Sequence, residues 1–319
     1  MINLKDVLKD AQTIGISGHV HPDGDCIGAT LGLYNYIKDN YPMKNVRLFL
    51  EEIPDVFNFL HRSEEIVHGT TDDAFDLYFV MDCSDELRLG DYAKHLQNTT
   101  HTVCVDHHKS NKLDTEYAYV VPDASSTSEL VYNLLPKEAV TKEIAECLYT
   151  GIVHDTGVFQ YSCTAKSTME AAGFFMEKGI DYSSIVERTY FEKTFAQNRI
   201  LARAVLRANL WHDGEIIISY LTREEMAEFD ATPQDLDGIV NQLRITKGVE
   251  VAVFLYETGD GEFKASLRSK SRVDVSEIAL KFGGGGHLRA AGATMKGEAE
   301  EILTMLLPEI TKRLEKGND

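Results

Sequence analysis

The chain is expected to fold as an α/β protein, in which a mostly parallel sheet flanked by helices is joined by a helical connector to a smaller mixed α/β domain. Three observations lead to that class. Apolar runs of strand length alternate with helix-period segments through the first half, the pattern of a parallel sheet covered on both faces. A polar helical stretch without a buried-strand signal follows, and beyond it the strands alternate and carry a hairpin signal. The length of 319 residues accommodates two cores, because single domains usually span about 100 to 200 residues.

Thr13 to Ser17, Val46 to Leu50, Leu77 to Met81 and His101 to Val105 read as strands. Ile27 to Ile37, Ser126 to Leu135 and Glu143 to Val153 read as the helices of the same half. In such sheets ligands bind beyond the carboxyl ends of the strands. From about Thr164 to Thr194 the pattern is helical and polar, with Lys166 to Lys178 and Ser183 to Phe191 as helices. Glu215 to Tyr220, Val249 to Tyr256 and Glu262 to Arg268 then alternate like strands, the last two flanking the turn Thr258-Gly259-Asp260-Gly261. Arg223 to Phe229, Pro233 to Arg244, Val275 to Phe282 and Glu298 to Leu314 fit helices. The expected domains are 1–180, a linker at 181–195, and 196–319. Apart from the glycines Gly283 to Gly286, no low-complexity tract or repeat is found.

A formal charge of -19, from 51 acidic against 32 basic side chains, disfavours wrapping long nucleic acid, whose affinity comes from neutralised phosphates. A short phosphorylated substrate needs only a local cluster of cations. No basic segment leads into an apolar stretch at the amino terminus and no window holds 18 uninterrupted apolar residues. A cytoplasmic protein without a membrane partner is therefore expected. Five scattered cysteines without a CxxC pair read as buried free thiols.

Four acidic and imidazole clusters each end a hydrophobic segment: His19-x-x-x-Asp23-x-Asp25, Asp82, Asp106-His107-His108 and His154-Asp155. Pro22 and Gly24 turn the chain so that His19, Asp23 and Asp25 can converge. Singly, Asp25 and Asp82 also read as helix caps and Asp155 as a helix terminator. Together, landing at neighbouring element ends, they read as a dinuclear metal site. Hydrolysis of a phosphoester is slow because the anionic centre repels an anionic nucleophile, and enzymes answer with two divalent ions about 3.5 to 4 Å apart. A mixed carboxylate and imidazole set suits manganese better than thiolate-loving metals. Ser125-Ser126-Thr127-Ser128 reads as a helix N-cap, and the aromatic segment Tyr182 to Phe195 as interdomain packing.

The motifs HVHPDGD, MDCSD, DHH and HDTG, in that order, followed by SLRS at Ser266 to Ser269 and GGGGHLRAAG at Gly283 to Gly292, resemble the DHH phosphoesterases and their associated carboxyl-terminal domain. Size and layout are similar to the nano-RNase and pAp phosphatase branch. The resemblance implies a hydrolase that removes nucleotides from short oligonucleotides, in the manner of a 3'-5' exonuclease, or dephosphorylates 3'-phosphoadenosine 5'-phosphate, by in-line attack of a metal-bridging hydroxide. It implies two divalent ions, Mn2+ foremost, with Mg2+ or Co2+ as substitutes. His19, Asp23, Asp82 and Asp155 would hold the first, and Asp25, Asp82, His107 and Asp155 the second. His108 would touch the scissile phosphate, with Asp106 orienting an imidazole from behind. Arg268, Ser269, Gly284, Gly285, Gly286 and His287 would bind substrate, by a guanidinium fork and by amides open to an anion. Cys26 and Ala29 stand where relatives often carry Ala and Ser, which removes no ligand.

A cleft closing over a short substrate would exclude long duplexes, and a homodimer is compatible with this reading. The main alternative is a stand-alone cyclic di-AMP or pApA phosphodiesterase; an inorganic pyrophosphatase-like enzyme and a non-catalytic nucleotide-binding regulator rank lower, the last because no ligand is missing.

Overall fold

The structure, a computed structural model, describes residues 2–259 and 261–316. Two compact units divide the chain, Met1–Glu192 and Lys193–Asp319, and the division falls inside the segment expected as a linker.

The first unit opens with a short helix, α1 (Leu4–Leu8), before β1 (Thr13–Ser17), α2 (Gly24–Asn40), β2 (Asn45–Phe49) and β3 (Phe75–Met81). Two single-turn helices, α3 (Glu86–Leu89) and α4 (Lys94–Gln97), lead to β4 (Thr99–Asp106) and β5 (Tyr117–Val120). Then come α5 (Thr127–Leu134), α6 (Lys142–Asp155), α7 (Lys166–Glu177) and α8 (Tyr182–Val186). The sheet order is β2-β1-β3-β4-β5 and every neighbouring pair is parallel. Register aligns Ser17 with Val80 and Met81 with Val105, so the residues that follow β1, β3 and β4 emerge side by side. The strand β5 has no counterpart in the sequence reading: it is a four-residue edge strand, half-exposed, without the apolar run that marks its neighbours.

Helices α2 and α6 pack closely because small residues face one another. A Cβ on Gly28 would lie 2.5 Å from the Cys147 carbonyl oxygen and 2.8 Å from the Gly151 nitrogen, distances no real side chain tolerates. Gly24, at the start of α2, faces His154 near the end of α6 in the same way. The contact thus brings the amino end of α2 to the carboxyl end of α6. Ala171, Ala172, Phe175 and Ile185 are buried in the same core, so α7 and α8 belong to the first unit. Their apolar stripe is too sparse to stand out in a polar stretch. The expected helix at 183–191 changes after Val186 into a π-helix over Glu187–Phe191.

The second unit contains α9 (Phe195–Arg207), β6 (Asn209–Trp211), β7 (Ile216–Leu221), α10 (Arg223–Glu228), α11 (Ile239–Arg244), β8 (Val251–Gly259) and β9 (Glu262–Ser269), followed by α12 (Val275–Lys281), β10 (Gly285–His287), β11 (Ala290–Lys296) and α13 (Ala299–Lys316). Its sheet runs β10-β11-β9-β8-β7-β6, with β7 and β8 parallel and the other pairs antiparallel. β8 and β9 form the expected hairpin, and Asp260 of its turn lies outside the described residues. The single helix expected over Pro233 to Arg244 is broken by Gly238, at φ +83°, into a 3-10 turn and α11. Four cysteines are buried and Cys163 is partly buried, all of them free. Among the described residues no helix is long and apolar enough to cross a membrane.

Candidate metal centre

The carboxyl edge of the first sheet gathers every residue expected to hold metal. His19 follows β1, and Asp23 caps α2 by accepting the Asp25 and Cys26 amides at 3.1 Å. Asp25 lies in the first turn of α2, Asp82 follows β3, Asp106 ends β4 ahead of His107 and His108, and Asp155 ends α6. Asp82 is the hub. Its Oδ2 stands 3.6 Å from His19 Nε2, and its Oδ1 stands 3.6 Å from His107 Nε2 and 3.7 Å from His108 Nδ1. His19 Nε2 is also 3.7 Å from Asp23, and His107 Nε2 is 3.1 Å from Asp155. Donor atoms of Asp25, His107 and Asp155 lie within 4.8 Å of one another, as do those of Asp82, His107 and His108.

The backbone at this hub is unusual. Asp82 has φ +53°, a left-handed conformation that costs of order 1 to 3 kcal/mol in a residue with a Cβ and persists where the surroundings over-determine it. Its amide donates to the Val105 carbonyl at 2.9 Å, tying the strained residue to β4. Asp82 and Asp25 are 2% and 1% exposed, whereas the Asp23 and Asp155 side chains are 60% and 29% exposed, so the centre opens to solvent past Asp23 and Asp155.

Supporting contacts come from residues that sequence reasoning assigned only to capping. Ser126 does cap α5, accepting the Glu129 amide at 3.0 Å. The same turn also donates the Thr127 and Ser128 amides to the two oxygens of Asp25, at 2.6 and 2.9 Å, and the Thr127 hydroxyl to Asp82 Oδ1 at 2.9 Å. An amino-terminal helix end is a ready anion holder, a signal that the capping motif carried but that did not name Asp25 as the anion. Asn111 had none: its Nδ2 donates to Asp106 Oδ2 at 2.6 Å. The other oxygen of Asp106 is 2.6 Å from His108 Nδ1.

Burial alone would lower the His19 imidazole, yet Asp23 and Asp82 outweigh it and raise it to about 10. His107 is likewise lowered by burial and raised by Asp155, Asp25 and Asp82, to about 9. Two of the carboxylates are pushed toward the neutral form, whereas at Asp23 burial is outweighed by the pairing with His19, which lowers it to about 2. Burial, then Asp82, pushes Asp25 up, and burial, then Asp25, pushes Asp155 well above the ordinary range. Such a concentration of negative charge away from water calls for cations. His19 Nε2 is buried without a hydrogen-bond partner and faces the carboxylates, as a ligand nitrogen must. Carboxylate oxygens and imidazole nitrogens in this density fit two divalent ions.

The expected substrate-binding residues all lie in the second unit. Arg268 sits on β9 opposite Ala252 and Ala290, with a guanidinium N–H to the Leu267 carbonyl at 3.1 Å. Ser269 is buried, and its hydroxyl donates to the Val273 carbonyl at 2.6 Å, so it holds its own loop. Gly285 and Gly286 form the edge strand β10 with His287, while the His287 side chain lies outside the described residues. A Cβ on Gly284 would lie 2.1 Å from the Gly292 carbonyl, and one on Gly286 2.5 Å from that of Ala290. Gly284 and Gly286 are therefore packed backbone on backbone, whereas a Cβ on Gly283 or Gly285 would meet nothing within 4 Å.

Residues 13–152 match the DHH family, N-terminal domain, and residues 213–315 match the DHHA1 domain. The bifunctional oligoribonuclease and PAP phosphatase NrnA of Thermus thermophilus is 29% identical over 96% of this chain and 93% of its own length. The Bacillus subtilis protein of the same name is 28% identical over 92% and 93%. The cyclic-di-AMP phosphodiesterase GdpP of Geobacillus thermodenitrificans is 29% identical over 94% of this chain and 48% of its own length. A crystal structure of an exopolyphosphatase-related protein from Bacteroides fragilis superposes with a TM-score of 0.92 at 27% identity, covering 99% of this chain and 96% of that one. With a DHH N-terminal domain that holds the DHH triplet and a DHHA1 domain after it in sequence, the chain belongs to the DHH family.

Proposed function

We propose that this protein is a metal-dependent phosphoesterase that hydrolyses short oligonucleotides and 3'-phosphoadenosine 5'-phosphate in the cytoplasm. The observation that carries the reading is Asp82, buried, held in a left-handed turn, and presenting one oxygen to His19 and the other to His107 and His108. His19 and Asp23 would hold one ion and Asp25 and His107 the other, with Asp82 and Asp155 shared. Mn2+ suits this donor set best, with Mg2+ or Co2+ able to substitute. When bound, two such ions lower the pKa of water and neutralise charge on a phosphoryl group.

The chain's own groups do the rest. Thr127 and Ser128 fix the orientation of Asp25 through their amides, and the Thr127 hydroxyl does the same for Asp82. Asp106 accepts from His108 Nδ1, which directs proton exchange with a leaving alkoxide to Nε2. Arg268 carries the planar fork that would take a substrate phosphate, whereas the Ser269 hydroxyl is spent on the Val273 carbonyl and the Gly284 amide on the Ala279 carbonyl. The relatives named as oligoribonuclease and PAP phosphatase match over 93% of their length. The alternative, action on cyclic di-AMP or pApA, draws on relatives in which the matched region is about half of a larger protein.

A substrate panel tests this. Protein and Mn2+ are incubated with pAp, a labelled dinucleotide, pApA, cyclic di-AMP and pyrophosphate, and kcat/KM values are compared. Turnover of pAp or the dinucleotide, lost in Asp82→Ala, is expected; cleavage of pyrophosphate alone contradicts the substrate reading.

A further inference from the structure

The deepest part of the centre contains a donor that the proposed chemistry leaves unused. Cys26, in the first turn of α2, is fully buried, and His19 and Asp82 beside it are each 2% exposed. The Cys26 sulfur, a ring nitrogen of His19 and a carboxylate oxygen of Asp82 lie within 4.8 Å of one another. His19 Nδ1 is engaged with the Val20 carbonyl at 2.8 Å, while Nε2 is buried without a hydrogen-bond partner. The thiol has room only because residue 18 is glycine, since a Cβ there would lie 2.2 Å from the sulfur. Its one hydrogen bond, to the His19 carbonyl at 4.0 Å, is at the outer limit of such contacts.

A buried cysteine ordinarily serves as a small apolar filler. This one shares its space with a buried carboxylate and a buried imidazole. Thiolate and imidazole donors draw thiophilic ions, where carboxylates alone favour Mg2+ and Mn2+.

We propose that Cys26 is an additional donor to the ion held by His19 and Asp82, biasing that position toward thiophilic divalent ions such as Co2+, Zn2+ and Cd2+. The inference rests on the reading of the centre as a metal site and is independent of the substrate. A sulfur lone pair forms the metal–sulfur bond and the thiol proton leaves to solvent, as for any coordinating cysteine.

The test is spectroscopic and needs no turnover. The intact protein is loaded with Co2+, its near-ultraviolet spectrum is recorded, and bound cobalt is counted. A thiolate-to-cobalt charge-transfer band is expected in the wild type and absent from both Cys26→Ser and Cys26→Ala at unchanged cobalt stoichiometry. In equilibrium competition between Cd2+ and Mn2+, Cys26→Ser should lose about tenfold of the preference for Cd2+. Cobalt bound by the wild type without the band, or an unaltered Cd2+ preference in Cys26→Ser, overturns the assignment of the thiol alone. If no cobalt binds, the metal centre fails with it, whereas the substrate panel can fail and leave this result standing.

Discussion

Each unit buries carboxylates, and Glu250 of the second is treated in the opposite way to Asp25 and Asp155 of the first. In the second unit Glu250, 4% exposed, accepts the amides of Ser271, Arg272 and Val273 at 2.9, 2.5 and 3.1 Å and the Ser271 hydroxyl at 3.1 Å. Burial would raise its pKa, but those donors outweigh it and hold the carboxyl below the ordinary glutamate range. In the first unit Asp25 receives two amides and is nevertheless pushed up by burial and by Asp82, while Asp155 is likewise pushed up, by burial and by Asp25. A buried acid supplied with enough donors ties its loop in place. Acids crowded beyond their donors destabilise the cation-free fold and stabilise whatever cations arrive.

Substitutions can break that contrast. The largest effect is expected for Asp82→Asn, which keeps shape and removes the shared charge: kcat/KM for pAp should fall by at least about 10³-fold with an unchanged circular dichroism spectrum. Asp106→Asn acts only through His108 and Asn111, so a loss of about 10- to 100-fold at unchanged metal stoichiometry is expected in steady-state kinetics. On the other side of the contrast, Glu250→Gln should cost about 1 to 3 kcal/mol in urea unfolding and leave metal binding as it is. Because the folded pKa of Glu250 is depressed, its stabilisation is present above the unfolded value of 4.5 and is lost as pH falls through the lower folded value. The stability difference between wild type and Glu250→Gln should therefore shrink as pH is taken below about 4.5. The smallest effect sharpens the contrast most. Asp155→Asn should stabilise the metal-free protein at pH 8 by on the order of 1 kcal/mol, while abolishing much of the rise in Tm that Mn2+ produces.

Much of this was readable along the chain for a physical reason. Buried parallel strands must be apolar on both faces, so β1, β3 and the buried end of β4 stand out by their apolar residues, and ligands placed just past them are drawn to one edge by register. His19, Asp82 and Asp106 to His108 could be grouped on that basis. What stayed hidden depends on contacts between distant residues. The Thr127 and Ser128 amides reach Asp25 across more than 100 positions, and nothing in the residues 108 to 111 announces that Asn111 turns back to Asp106. The left-handed turn at Asp82 follows from its ties to β4 and α5 and not from residue type. β10 and β11, built of glycine, alanine and threonine, show too little apolar bulk to read as strands, and they pair because glycine lets backbone lie against backbone.

The central claim is that Asp82 joins two cation positions. Equilibrium dialysis against Mn2+ followed by metal analysis tests it directly. The account predicts two ions per chain in the wild type and loss of both from Asp82→Asn; one ion or none in the wild type, or two retained after the substitution, would contradict it.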